Sequence, residues 1–326
     1  MSNSNTVKNW AWDFHDLDTR TQKYTGKDIK IAIIDSGYAP GIPALEKIKR
    51  SDSIDFTGMD SLKLIRQLET LSSTEARLDF LRNAQPWSKV NYDGDNKYHG
   101  SNIASIIGGT DADGAQRGIT SESKIHILKI YNDPQDNSIS EERKVSKLLP
   151  IAILWAAANG IHLVNVSMKV GHCSIPLHEA VKAAYLNNTI LICAAGNSPS
   201  PGNMSVEYPA AFQKTLAIGA HMEDGSIKPG TDSGTLVDFL APGHNIPSFI
   251  DPQGMTLNHT SYATAFATGL IALLLEDMGG KASYHELKKR LLLKERKPTV
   301  LEKVAGITRL KIDPIYAGYG LLKLDF

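Results

Sequence analysis

Four side chains far apart in the chain would together make an acyl-transfer site: Asp35, His99, Asn197 and Ser261. A serine hydroxyl attacks a carbonyl when a base takes its proton, a carboxylate holds that base in one tautomer, and donors meet the charge growing on the carbonyl oxygen. Ser261 supplies the hydroxyl, His99 the base, Asp35 the carboxylate and Asn197 a side-chain amide. Each also has a plainer reading alone: strand-end turn, helix-start histidine, turn residue and helix cap. Their surroundings and their order decide between these readings.

The elements that must position them can be read from periodicity. "KIAIIDSG" (30–37), "KIHILKIY" (124–131), "IHLVNVSM" (161–168), "TILICAAGN" (189–197), "TLAIGAH" (215–221) and "LVDFLAPG" (236–243) are apolar runs of strand length. Between them, 99–109, 146–160 and 176–188 carry helical patterns. This alternation predicts an α/β fold of three layers, a mostly parallel central sheet flanked by crossover helices. Sites in such sheets lie outside the carboxyl ends of the strands, and Asp35 and Asn197 both fall where an apolar run stops. Ala263 to Leu275 reads as a buried helix with Ser261 at its mouth, beside the positive end of the helix dipole.

The rhythm breaks over 59–91, where two short amphipathic helices are expected, with Leu64, Leu68 and Leu71 on one face of the first. Ser283 and Glu286 stand at capping-box spacing and predict a helix over 283–293. With no repeat and no low-complexity linker, 1–326 is expected to be one domain. Residues 1–28 would be a flank packed onto it through Trp10, Trp12 and Phe14.

Taken together these segments resemble the subtilisin-like serine peptidase family over about 28–326. "IAIIDSG" looks like its aspartate motif, "HGSNIASIIGG" (99–109) like its histidine motif, "AAGN" (194–197) like its oxyanion motif and "HTSYATAFATG" (259–269) like its serine motif. "LVNVSM", "EYPAAF" (207–212), "LAPG" (240–243) and "GYGLLKL" (318–324) follow in the family's order. The resemblance implies a serine endopeptidase in which Ser261 attacks, His99 acts as base and then acid, Asp35 orients His99, and Asn197 with the Ser261 N–H faces the oxyanion. It assigns substrate binding to Ser167, Met168 and Lys169, to Ala195 and Gly196, and to Glu207.

Departures from the family pattern bear on specificity. His259 stands where the serine motif usually has glycine, Ala265 where it has proline, and Asn102 where the histidine motif has a second histidine. Met168 is followed by Lys169 and Val170 instead of glycines, so the cleft wall carries side chains and selectivity should be narrow. Glu207 takes a position that the resemblance places at the floor of the S1 pocket. A carboxylate there is costly unless paired, so a basic P1 residue is expected. The rival reading is a catalytically silent peptide-binding module using the same cleft; a third is an esterase using the same nucleophile.

No cofactor is expected to be required. Calcium is common in the family, yet the segment after the histidine helix is short and offers only Asp111 and Asp113 as oxygen ligands, so a polar turn is the expectation there. Lys plus Arg and Asp plus Glu are 35 each, a formal net charge of zero, so no global field favours nucleic acid or anionic lipid. The first residues lack a secretory apolar segment, and no run reaches the roughly 20 apolar residues that span a bilayer. Cys173 and Cys193 are too few for a disulfide framework and suit a reducing compartment. The expected setting is the cytoplasm, with a peptide or protein as partner and neither nucleic acid nor membrane. A leader peptidase of the kind that matures lanthipeptides is one concrete form; the oligomeric state leaves no sign in the sequence.

Overall fold

The computed structural model describes residues 9–39, 41–49, 52–58, 61–83, 98–110, 117–132, 138–198, 205–251, 255–292 and 319–322. At its centre lie seven parallel strands: β1 (Lys30–Asp35), β2 (Ile54–Asp55), β3 (Lys124–Lys129), β4 (Leu163–Val166), β5 (Ile190–Ala194), β6 (Thr215–His221) and β7 (Phe239–Pro242). Their order is β2-β3-β1-β4-β5-β6-β7. A separate antiparallel pair joins β8 (Ile246–Pro247) to β9 (Thr256–Leu257).

The strands are continuous apolar runs because both faces of a parallel sheet are covered. Alternate residues serve opposite layers: Ile31 and Ile33 join one core cluster, Ala32 and Ile34 the other. The helices are α1 (Trp10–Phe14), α2 (Leu17–Lys23), α3 (Ser61–Thr70), α4 (Thr74–Asn83), α5 (His99–Gly108), α6 (Ile139–Ala158), α7 (Ile175–Leu186), α8 (Thr260–Asp277) and α9 (Tyr284–Leu292). Helices α5 and α8 pack together on one face of the sheet, and α6 with α7 on the other.

The chain visits the β2 side of β1 first and then crosses to β4, so the strand order reverses between β1 and β4. That reversal opens a crevice at the carboxyl ends of the two strands. Asp35 closes β1 at its rim, and Ser167 follows β4. Helix α5 reaches this rim because residue 100 is glycine: a Cβ there would overlap the Gly37 carbonyl oxygen.

Helix α8 is buried from Thr260 to Leu275, as its small and apolar composition predicts. Its far end is braced by the N-terminal flank: the Glu276 carboxylate accepts main-chain N–H groups of Thr25 at 2.8 Å and Gly26 at 2.7 Å. Trp10 is buried in the same core, and its indole N–H donates to the His244 carbonyl at 3.0 Å. In the interrupting segment, Leu64 and Leu68 of α3 are buried in the cluster that holds α6, and Leu71 packs against it; 84–91 lie outside the described residues. The capping box forms as its spacing predicts. Glu286 accepts from the Ser283 N–H at 2.8 Å and Ser283 Oγ accepts from the Glu286 N–H at 3.3 Å.

Helix α6 and three short strands depart from the sequence expectation. Helix α6 starts at Ile139, two turns before the predicted start at 146, because Ser138 caps it by accepting from the Glu141 N–H at 3.3 Å. Strand β2 is two residues long at the sheet edge, below the length at which alternation can be read. The β8–β9 pair is equally short, and its strands flank the segment where Ser248 hydrogen-bonds Asn102.

Candidate active site

Asp35 is fully buried, and its Oδ1 lies 2.8 Å from Nδ1 of His99, the first residue of α5. A carboxylate on Nδ1 makes that nitrogen the N–H and leaves Nε2 as the basic atom. Three further donors converge on the same oxygen: the Ser36 N–H at 2.8 Å, Ser36 Oγ at 3.0 Å and the Tyr131 hydroxyl at 3.0 Å. The side chain of His99 is 16% exposed, so its far edge meets the cleft while its Asp35 edge is dry.

Ser261 is the second residue of α8, after the N-cap His259. Its main-chain N–H is among the orphan donors of the first helical turn and sits at the positive end of the dipole. The Ser261 hydroxyl donates to the Ser167 carbonyl at 3.2 Å, and Ser167 Oγ donates to the Ser261 carbonyl at 3.1 Å. Ser261 is therefore stitched to the strand extension after β4, and to act as a nucleophile its hydroxyl would have to turn its proton from the Ser167 carbonyl to a base. Behind it runs a buried chain of hydrogen bonds: Thr268 Oγ1 donates to Asn165 Oδ1 at 3.1 Å, and Asn165 Nδ2 donates to Ser167 Oγ at 2.8 Å. His99 lies beside the first turn of α8, its ring centroid 5.8 Å from that of Tyr262.

Asn197 follows β5, and its Oδ1 accepts the Thr260 N–H at 3.0 Å. Only the carbonyl end of an amide can accept, so this bond fixes the flip and turns the NH2 group away from Thr260, free to meet an oxyanion. The preceding residues hold the loop. Ala195 donates to the Ile218 carbonyl at 2.9 Å, and the Gly196 carbonyl accepts the Asp232 N–H at 2.9 Å. Gly196 has φ +119°, and a Cβ there would collide with the Asp232 carboxylate, so glycine is required.

On the strand side, Met168 is half-buried and Lys169 exposed, while Val170 is buried and donates its N–H to the Tyr208 carbonyl at 2.8 Å. Lys169 Nζ lies 2.8 Å from Glu207 Oε1. This pair corrects the premise behind the expected basic P1 residue: the Glu207 carboxylate already has a cation inside the protein, and no substrate charge is needed to balance it.

His259 is exposed at the cleft end of α8, and its pKa is lowered, by desolvation first and then by the charges of Lys228 and His99, so it is neutral at neutral pH. Asn102 is a structural link: its Nδ2 donates to the Tyr98 carbonyl at 2.8 Å and its Oδ1 accepts from Ser248 at 2.7 Å. Burial, then the Asp238 charge, pushes the Cys193 thiol well up, which keeps it protonated and unreactive; Cys173 is exposed and free. Asp111 and Asp113, the residues weighed for calcium, lie outside the described residues. Among the described residues no group of three or more His, Cys, Asp or Glu is placed to hold a metal ion, and no helix is long and apolar enough to cross a membrane.

The structure thus joins Asp35 to His99, Asn197 to the start of α8, Ser261 to Ser167, and Lys169 to Glu207. Sequence reasoning missed Ser36 and Tyr131 as partners of Asp35. Ser36 could have been read from its position beside the carboxylate. Tyr131 could not, because its approach depends on how β3 lies against β1.

A family model described as the subtilase family matches residues 26–307. The minor extracellular protease Epr of Bacillus subtilis (strain 168) is 31% identical over 252 residues, 77% of this chain and 32% of the relative. Subtilisin DY of Bacillus licheniformis is 24% identical over 258 residues, 78% of this chain and 80% of the relative. The chain thus spans about a third of the first relative and four-fifths of the second. Among solved structures, MycP1 from Mycobacterium smegmatis superposes with a TM-score of 0.66 at 21% identity, covering 99% of this chain and 85% of that one. The prenylagaramide maturation protease PagA superposes with a TM-score of 0.64 at 23% identity, covering 94% of each chain. At these identities the two structures are similar in fold.

Proposed function

The chain belongs to the subtilase family, and from that premise we propose that it is a serine endopeptidase that hydrolyses peptide bonds through an acyl-enzyme on Ser261. The observation that carries this reading is the buried Asp35–His99 contact of 2.8 Å at the mouth of the crevice where α8 presents Ser261. In the proposed reaction His99 Nε2 takes the Ser261 proton as Oγ attacks the scissile carbonyl. Asp35 stabilises the imidazolium that forms. The Asn197 amide and the Ser261 N–H receive the oxyanion, and His99 then returns the proton to the leaving amine. Water repeats the sequence in reverse roles to release the acid.

The substrate reading is limited processing of a particular peptide or protein. Its support is the cleft wall: Met168, Lys169 and Val170 follow Ser167 where small residues would leave an open edge, and the Val170–Tyr208 bond closes that wall onto the Glu207 segment. A basic P1 preference is retained in weaker form. Lys169 is exposed on a flexible stem, so an incoming guanidinium can exchange with it at Glu207. A maturation role, as named for the prenylagaramide maturation protease PagA, fits this narrow cleft. A cytoplasmic setting is part of the same proposal.

Turnover of peptide libraries by wild type and Ser261→Ala tests the reading. Serine-dependent cleavage at a restricted set of sites supports it, and peptide binding without cleavage by correctly folded wild type supports the silent module instead.

A further inference from the structure

We propose that Tyr131 is a positioning residue for the catalytic triad, its hydroxyl holding the Asp35 carboxylate with Oδ1 turned toward His99. The proposal rests on the peptidase reading of the Asp35–His99–Ser261 site.

Of the donors on Asp35 Oδ1 other than His99, two belong to the adjacent residue Ser36. They orient the carboxylate against its own main chain and carry no information from the rest of the fold. The Tyr131 bond, 3.0 Å long, comes from 96 residues away, just past the end of β3. At the same place the Ile130 N–H donates to the Asp35 carbonyl at 3.0 Å, so the sheet continues its ladder up to the residue before Tyr131. Main chain and side chain of Asp35 are both tied to residues 130 and 131. Tyr131 is 4% exposed, so water does not compete for its hydroxyl.

The other carboxylate oxygen, Oδ2, is buried and has no hydrogen-bond partner among the described residues. Rotation about the terminal carboxylate torsion is broad and two-fold, so nothing on the Oδ2 side prevents the group from turning. Tyr131 reaches across from the neighbouring strand to oppose that rotation. A turned carboxylate would release Nδ1 of His99, and the tautomer with its basic nitrogen facing Ser261 would lose its support. The effect falls on activation of the serine and leaves binding alone.

Tyr131→Phe keeps the ring and removes the donor. With a fluorophosphonate as probe, the maximal inactivation rate of the variant is expected to fall about tenfold, the loss of one buried hydrogen bond to a charged group. The half-saturating probe concentration is expected to stay at the wild-type value, and the variant to remain fully folded at the assay temperature with a thermal midpoint lower by a few degrees, the stability cost of the same lost bond. In an Asp35→Asn background the same substitution should change the rate less than twofold. Incorporation of 3-fluorotyrosine at 131, assayed at a pH below its phenol pKa so that the donor is retained, should retain the wild-type rate. An unchanged rate in folded Tyr131→Phe, or an equal loss in the Asp35→Asn background, overturns the proposal while the reactive wild type leaves the peptidase reading standing. Folded wild type that does not react overturns both.

Discussion

The Thr260 main-chain N–H donates to Asn197 Oδ1 at 3.0 Å, which ties the asparagine to the first turn of the helix that carries Ser261. One amide thereby has two duties on the proposed reading: its oxygen caps an orphan donor of α8, and its NH2 group meets the charge that develops in the cleft. The two duties can be separated. Asn197→Asp keeps the acceptor and loses the donor, so it should fold as wild type while kcat falls about 10²–10³-fold, the effect of removing one oxyanion donor. Thermal melting alongside peptide turnover checks this. Wild-type kcat in the folded variant would remove Asn197 from the oxyanion site.

On the proposed reading, P1 selectivity is an exchange of cations at the Lys169–Glu207 pair. Lys169→Ala should raise kcat/KM for P1-Arg over P1-Leu peptides by about 2–5-fold, the range of an exposed ion pair. Glu207→Gln should abolish the preference in either background. If Glu207→Gln leaves the Arg to Leu ratio untouched, Glu207 does not face the P1 side chain.

Stability should fall on acidification. The pKa values of His126, His162 and His259 are all lowered from 6.5, burial being the first cause in each. The unfolded chain therefore binds protons at a higher pH than the folded one does, and stability present above pH 6.5 is lost as pH drops below it toward the folded values. His162 shows why: its Nδ1 accepts the Lys30 N–H at 2.9 Å and cannot do so once protonated. His162→Gln should give a shallower loss of thermal midpoint between about pH 7 and 5. An equally steep loss in the variant would assign the effect elsewhere.

The N-terminal flank braces the far end of α8, the helix that carries Ser261, through Glu276, which accepts the N–H groups of Thr25 and Gly26. Glu276→Ala should cost about 1–3 kcal/mol of stability in urea unfolding, the expected loss for hydrogen bonds to a carboxylate. A change below a few tenths of a kcal/mol would show that the apolar contacts of Trp10 and Leu17 hold the flank alone.

Much of this architecture was legible in the sequence because long apolar runs declare themselves. Strands β1 and β3 to β7 and the burial of α8 follow from periodicity, and the capping box from two residues, Ser283 and Glu286. The site was legible as types and order: Asp35, His99, Asn197 and Ser261 fall at strand ends or helix starts. What could not be read is lateral. That Lys169 neutralises Glu207, or that Tyr131 reaches Asp35, depends on which strands and turns become neighbours, and side chains tens of residues apart carry no local signal of it. The early start of α6 escaped for a local reason, since "ISEERKV" is polar on the turn that Ser138 caps.

The central claim is that Ser261 is an activated nucleophile. Fluorophosphonate labelling of wild type and Ser261→Ala, with the modified peptide located by mass spectrometry, tests it directly. The account predicts a single adduct on the peptide containing Ser261, absent from the variant. Folded wild type that takes no label, or a label that persists in Ser261→Ala, would contradict it.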